Sequence, residues 1–219
     1  MLRINAKTSE IFHLKFASSD EMILHMGRFS DYYESADKNL YRQKFTWENT
    51  IDNYRVNRGH SYFEGASGIN IPTSIISRMA TEFGESLTVR EKFIVSLMAD
   101  IRISYSNLKY VIATCGADDD IDEIAHELAH GFYYTDEVYK MRMDSYIRAL
   151  PKRVTQEMHN WLDRQMYNPS VFTDELQAYM ATGVNFEEKE VFNHKLVSMF
   201  RAPFMDTYLE ALSSHEVLK

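Results

Sequence analysis

Cysteine, proline, glycine and positive charge are all scarce in this sequence, and each shortage excludes something. The 219 residues include one cysteine, so no disulfide can form within the chain. Cys115 lies in a β-patterned run, where a buried thiol is expected rather than a nucleophile. Four prolines and eight glycines are too few for a many-turned all-β protein and favour a helix-rich chain. A net charge of −8, with no basic cluster, argues against a broad phosphate-binding face, so no nucleic-acid partner is expected. The N-terminus has no apolar signal core and no run reaches the length of a membrane span. These absences predict a soluble, cytoplasmic chain with no membrane partner. There is no G-x-x-x-x-G-K-[ST] pattern to cradle a nucleotide phosphate.

What is present is His126-Glu127-Leu128-Ala129-His130. Histidines four apart on a helix project from one face about a turn apart, so both imidazoles can reach one metal ion with the glutamate beside it. At about 100° per residue, Ile121, Ile124, Ala125, Leu128 and Phe132 gather on one side, and His126, Glu127, His130 and Tyr133 on the other. That pattern predicts one packing face and one reactive face. Asp120 with Glu123 offers a capping box, and Asp118 and Asp119 add negative charge at the helix start. Tyr110 to Cys115 reads as a strand just upstream.

The rest of the chain supplies the scaffold. Ile11 to Phe16 alternates as a strand, with His13 on its solvated side. Ser18 and Glu21 start a helix through Tyr33, and a second helix is expected over Lys38 to Tyr54. Phe29, Tyr32, Tyr33, Tyr41, Phe45, Trp47 and Tyr54 read as packing material. The glycine-containing stretch from Asn57 to Thr73 reads as a loop ending in a short strand at Ile69 to Pro72, a segment that in a zinc peptidase would border the cleft. Helices follow from Ile75 to Phe83, stopped by Gly84, and from Thr88 with Glu91 to about Met98. Ile101 to Tyr105 alternates and predicts a hairpin with the Tyr110 strand, placing an edge strand beside the motif helix. Later helices are expected at Asp136 to Leu150, Lys152 to Met166, Thr173 to Thr182, Asn185 to Phe200 and from Pro203 to about Leu212. The fold class is therefore α+β and helix-rich, with a small, mostly antiparallel sheet. A single domain over 1–219 is expected, its strands and edge strand within 1–120 and a helical part over 121–219 carrying the ligands.

A catalytic zinc site has three protein ligands, so a partner is needed for the two histidines. Glu175 is favoured, because it lies on a separate helix where Ala178 permits close approach. Asp136 is the rival, six residues after His130, but the extended motif that uses this spacing needs a glycine where Tyr133 stands. His159 and His194 have no recognisable ligand spacing. Tyr133, Tyr134, Tyr179 and His194 are candidates to steady a developing oxyanion, with Tyr179 favoured for its place one turn beyond Glu175.

His126-Glu127-x-x-His130 with a later Glu175-x-x-Ala178 helix resembles the gluzincin group of zinc metallopeptidases over about residues 108–182. The segments Tyr110 to Tyr134 and Asp174 to Gly183 are also similar to a bacterial family of uncharacterised metallopeptidases. The resemblance implies a zincin-like fold, Zn2+ held by His126, His130 and Glu175, Glu127 as catalytic base, and a peptide or protein substrate. It departs from the group at Tyr179, where many gluzincins carry an aspartate that orients a ligand histidine. Asp174 or a backbone carbonyl is expected to take that part. A metal-binding protein without hydrolase activity and a helical interaction module are the competing readings.

Overall fold

The computed structural model describes residues 2–57 (backbone only from 53), 67–116, 121–183 and 198–215. Four strands, β1 (Arg3–Ala6), β2 (Ile11–Phe16), β3 (Gly68–Pro72) and β4 (Tyr110–Cys115), form one mixed sheet in the order β1-β2-β4-β3. β1 pairs antiparallel with β2, β2 parallel with β4, and β3 antiparallel with β4. The described helices are α1 (Ser19–Glu34), α2 (Trp47–Asn57), α3 (Thr73–Phe83), α4 (Val89–Ser104), α5 (Ile121–Thr135), α6 (Glu137–Ala149), α7 (Lys152–Arg164), α8 (Phe172–Thr182) and α9 (Ala202–Ser214). The class is α+β, and the small sheet is mixed, antiparallel in two of its three pairings, with the parallel pair β2–β4 at its centre.

Strand alternation divides the core into two layers. Phe12, Leu14 and Phe16 of β2, with Val111 and Ala113 of β4, face α1, α3 and α4 and pack with Met22, Met26, Phe29, Met79, Phe83 and Ile94. Ile11, Tyr110 and Ile112 face the opposite way and pack with Leu128, Phe132, Tyr139, Met143, Leu176 and Phe204 from α5, α6, α8 and α9. The central strands are thus covered on both faces, and β2 and β4 are buried throughout.

That coverage corrects the reading of His13. It is 2% exposed, not solvated, and its Nε2 lies 2.7 Å from Thr114 Oγ1 on β4. Burial, with Lys7 and Lys15 nearby, holds its pKa down at about 4. Folding therefore binds the neutral ring, and the unfolded chain takes up the extra proton between about pH 6.5 and 4. Stability is present above that window and is lost as pH falls through it. His13→Gln, which keeps a hydrogen-bonding group, is expected to remove about 2 kcal/mol of the destabilisation between pH 7.5 and pH 5. Denaturant unfolding of both forms at the two pH values measures this, and equal losses in both forms would refute it.

The expected hairpin is also absent, because α4 continues through Ser104 and carries Ile101 to Ser104 within it. Ile94, Met98 and Ile101 continue one helical face at spacings of four and three, and the capping box of Thr88 and Glu91 starts it. This face wins over the local alternation, and Ile103 is left 84% exposed. The helix expected from Lys38 begins instead at Trp47. Asp37 Oδ1 accepts from Asn39 N and holds a turn, and Arg42 adopts a left-handed backbone (φ 56°). Thr46 Oγ1 accepts from Asn49 N as the helix starts. α1 begins as expected, with Ser18 Oγ accepting from Glu21 N. β1 was not anticipated. Its four largely exposed residues carry no pattern of their own and depend on β2 for pairing. The Asp118 to Asp120 cap, most of the loop before β3, the side chain of Tyr54, and the helix from Asn185 with His194 lie outside the described residues.

With that hairpin gone, the edge strand beside α5 is β3. Thr73 N donates to Lys109 O and Cys115 N to Ser67 O. Antiparallel alternation then gives β4 the backbone groups of Ile69 and Ile71 and turns those of Gly68 and Asn70 outward. Among the described residues no strand pairs with this outer edge.

Candidate metal centre

α5 packs closely against the sheet at Gly131. A Cβ at Gly131 would stand 2.8 Å from Ile11 Cδ1, so the buried Ile11 side chain would have to give way to any larger residue there. On the helix's other side, Ala129 and Ala178 are both fully buried and let α8 approach. From Glu127 to Tyr133 the helix is buried on every side, while Ile121 is 72% exposed. Leu128 and Phe132 pack as expected, but Ile121 of the expected packing face is exposed and Tyr133 of the expected reactive face lies in the core, so the helix does not divide into one packing and one reactive face. Instead the helix sends its functional groups to two neighbours: both histidines toward α8, and Glu127 toward β3.

His126, His130 and Glu175 bring one potential ligand atom each to within 4.8 Å of one another. The two Nε2 atoms are 3.2 Å apart, and Glu175 Oε2 is 3.8 Å from His126 Nε2 and 3.7 Å from His130 Nε2. A tetrahedral ion with bonds of about 2.0–2.1 Å keeps its ligands about 3.3–3.4 Å apart, a span these three distances bracket. Glu175 Oε2 is buried and has no hydrogen-bond partner, which a native interior tolerates only where something else satisfies the atom. Two imidazoles and a carboxylate with an orphaned oxygen fit a divalent cation.

A partner on the far side of the His130 ring fixes its tautomer, and His126 has a weaker one. His130 Nδ1 is 2.8 Å from Asp174 Oδ1, so that nitrogen carries the proton and Nε2 faces the cluster. Asp174 is one of the two orienting groups suggested by the sequence. Thr182 Oγ1 donates to Ala178 O (2.8 Å) and stands 3.4 Å from His126 Nδ1, which can donate only weakly to it. Two lone pairs facing each other at 3.2 Å repel unless a cation lies between them. In the metal-free protein a proton does this work. Burial opposes charge on His130, but Asp174 and Glu175 outweigh it and push its pKa up to about 10. Burial raises Glu175 to about 8 despite the opposing pull of His130, and burial next to His130 holds His126 well below its ordinary value.

Glu127 stands beside this trio without belonging to it. It is buried, Oε2 is unpartnered, and burial pushes its pKa well above the ordinary carboxylate value. The Asn70 side-chain amide opposes that shift by hydrogen bonding to the charged form. Tyr110 donates to Asn70 Oδ1 (2.5 Å), which turns the Asn70 amide nitrogen toward Glu127. Gly68 leaves the space into which the Glu127 and Glu123 carboxylates project; a methyl group there would overlap both.

Tyr179 packs its ring on His126, with centroids 4.4 Å apart, and is buttressed by Trp161 at 4.9 Å. Its phenol interacts with that of Tyr167, and burial with Glu175 nearby keeps it protonated and able to donate. Tyr133 is occupied elsewhere, donating to Asp144 Oδ1 at 2.5 Å. Tyr134 is exposed and packs on Tyr110. Asp136 caps α6 through Val138 N and Tyr139 N and bonds to His215 Nε2 at 2.9 Å, away from the cluster. His159 packs on Phe172. Sequence reasoning missed Gly68, Asn70, Tyr110 and Thr182 as supporting residues. Only Thr182 left a signal, one turn beyond Ala178 on the ligand helix.

No family model matches the chain, and neither a curated protein nor a solved structure is significantly similar to it.

Proposed function

We propose that the protein is a zinc-dependent peptide hydrolase of gluzincin type with a zincin-like arrangement of motif helix and edge strand. The observation that carries this reading is the position of Glu127, buried beside the His126, His130 and Glu175 group but outside it. A site that only clamps or senses a metal has no use for a buried carboxylate at that place, which weakens stability when ionised.

A zinc ion held by His126 Nε2, His130 Nε2 and Glu175 would polarise the substrate carbonyl and acidify water. Glu127 accepts the proton of the attacking water and returns it to the departing amine, and burial raises its pKa above the ordinary carboxylate value, the direction that makes it a stronger base. Asn70, fixed by Tyr110, aims that carboxylate. Asp174 holds the His130 ring in its metal-binding tautomer, and Thr182 offers His126 Nδ1 a weaker acceptor at 3.4 Å. Tyr179 supplies a protonated phenol beside His126 to receive oxyanion charge. An extended peptide pairs with the outward N–H and C=O groups of Gly68 and Asn70, which places its backbone next to Glu127. Pro72 cannot donate and ends the ladder.

The test is hydrolysis of a proteome-derived peptide library by the zinc-loaded chain. Cleavage that stops on chelation and returns with Zn2+ is expected; one tightly bound zinc with no cleavage would favour a metal-binding protein without hydrolase activity. Binding should also depend on pH in a defined direction. His130 and Glu175 carry protons at pH 7 in the metal-free protein and must release them to the metal. Zinc affinity is therefore expected to rise from pH 6 to pH 8, with proton release detectable by calorimetry in buffers of different ionisation enthalpy. Affinity independent of pH would count against this ligand set.

A further inference from the structure

We infer that Gln177 is a positioning residue of the metal centre, acting through Asp174 on the orientation of His130. The inference rests on the metal-binding reading above. Gln177 is fully buried on α8 and reaches three helices. The Tyr139 hydroxyl of α6 donates to its Oε1 at 2.9 Å, and its Nε2 donates to Asp174 Oδ1 at 3.0 Å and to Ala129 O of α5 at 3.3 Å.

The direction of every bond in this chain is fixed. Ala129 O can only accept, so the amide nitrogen must face it and Asp174, and the amide oxygen must face Tyr139. Asp174 Oδ1 then receives Gln177 Nε2 and His130 Nδ1 together, and its position follows from both. His126 has no such hydrogen-bonded relay: it has the packed ring of Tyr179 and a 3.4 Å contact with Thr182. The two ligand histidines are thus held unequally, and loss of Gln177 acts on His130 alone. A buried amide that tied three helices together with no bearing on the metal would have no need to contact the carboxylate that orients a ligand.

The test is a double-mutant cycle on Zn2+ affinity in the full chain, using Gln177→Met, Tyr139→Phe, Asp174→Ala and their combinations, with thermal unfolding of the metal-free forms alongside. Gln177→Met is expected to weaken zinc binding about tenfold and Tyr139→Phe about threefold. In the Asp174→Ala background each should cost less than about twofold, because the relay is already cut. Equal losses in both backgrounds, or wild-type affinity in Gln177→Met, would overturn the inference. Tyr139→Phe keeps the cycle usable if Gln177→Met does not fold. A second readout needs no metal: the hydrogen-bonded Nδ1 proton of His130, followed by nuclear magnetic resonance, should shift or vanish in both relay variants. An unmoved signal rejects the relay. Failure of the wild-type chain to bind zinc would instead count against the metal centre, and the proton signal would still decide the relay.

Discussion

Glu127→Gln is expected to cut peptide hydrolysis by about a thousandfold while leaving zinc affinity within about threefold of wild type. The first half follows from what general base catalysis supplies, on the order of 10²–10⁴ in rate. Glutamine fills the same volume but cannot accept the water's proton. The second half follows from geometry, because Glu127 contributes no atom to the ligand cluster and the substitution leaves His126 and His130 on the same helical face. The same change should raise the unfolding temperature of the metal-free protein. Burial holds the Glu127 pKa well up, so its ionised form is destabilising near neutral pH, and a neutral amide removes that cost. The three readouts separate the roles. Lost hydrolysis with lost zinc would mean a ligand or a collapsed site. Unchanged hydrolysis would exclude Glu127 as the base.

The part of this centre written in contiguous residues was legible, and the part assembled by pairing was not. His126, Glu127 and His130 declare themselves because helix periodicity converts a spacing of four into a shared face. Glu175 was reachable because Ala178 marks a helix able to come close, and Asp174 because a ligand histidine needs a partner on its other nitrogen. Gly68 and Asn70 were invisible for a different reason. Their functions depend on β3 lying beside β4 in one register, Gly68 opposite Thr114 and Asn70 opposite Ile112, and nothing in five residues announces a register. Gln177 reads as an ordinary polar helix position until α5 and α6 close over it. The errors in the scaffold share that cause. His13 alternates as though one face of β2 met water, yet helices cover both faces. Ile101 to Tyr105 alternates as a strand, but a capped helix already running through Ile94 and Met98 absorbs Ile101 to Ser104. Local pattern was overruled where tertiary packing supplied a second layer.

The register of β3 yields the second large effect. Gly68→Ala is expected to lower hydrolysis about a hundredfold with little change in fold stability or zinc affinity. Gly68 has no left-handed φ that would demand glycine, so alanine fits the backbone without strain. Its Cβ, however, would occupy the space now taken by the Glu127 and Glu123 carboxylates. Both carboxylates are ends of flexible side chains, so the fold can yield at small cost by rotating them away. That rotation is what hydrolysis cannot tolerate, since displacing a catalytic group by about 1 Å costs on the order of 10² in rate. The metal ligands stand on the α8 side of α5 and should not sense the methyl group. The loss should therefore fall on kcat, with KM less affected, because the outward N–H and C=O of residue 68 are unchanged by alanine and still pair with an extended peptide. A raised KM with normal kcat would place the role of Gly68 in substrate pairing instead. Full activity in Gly68→Ala would show that Glu127 works from a position other than the one it holds against β3.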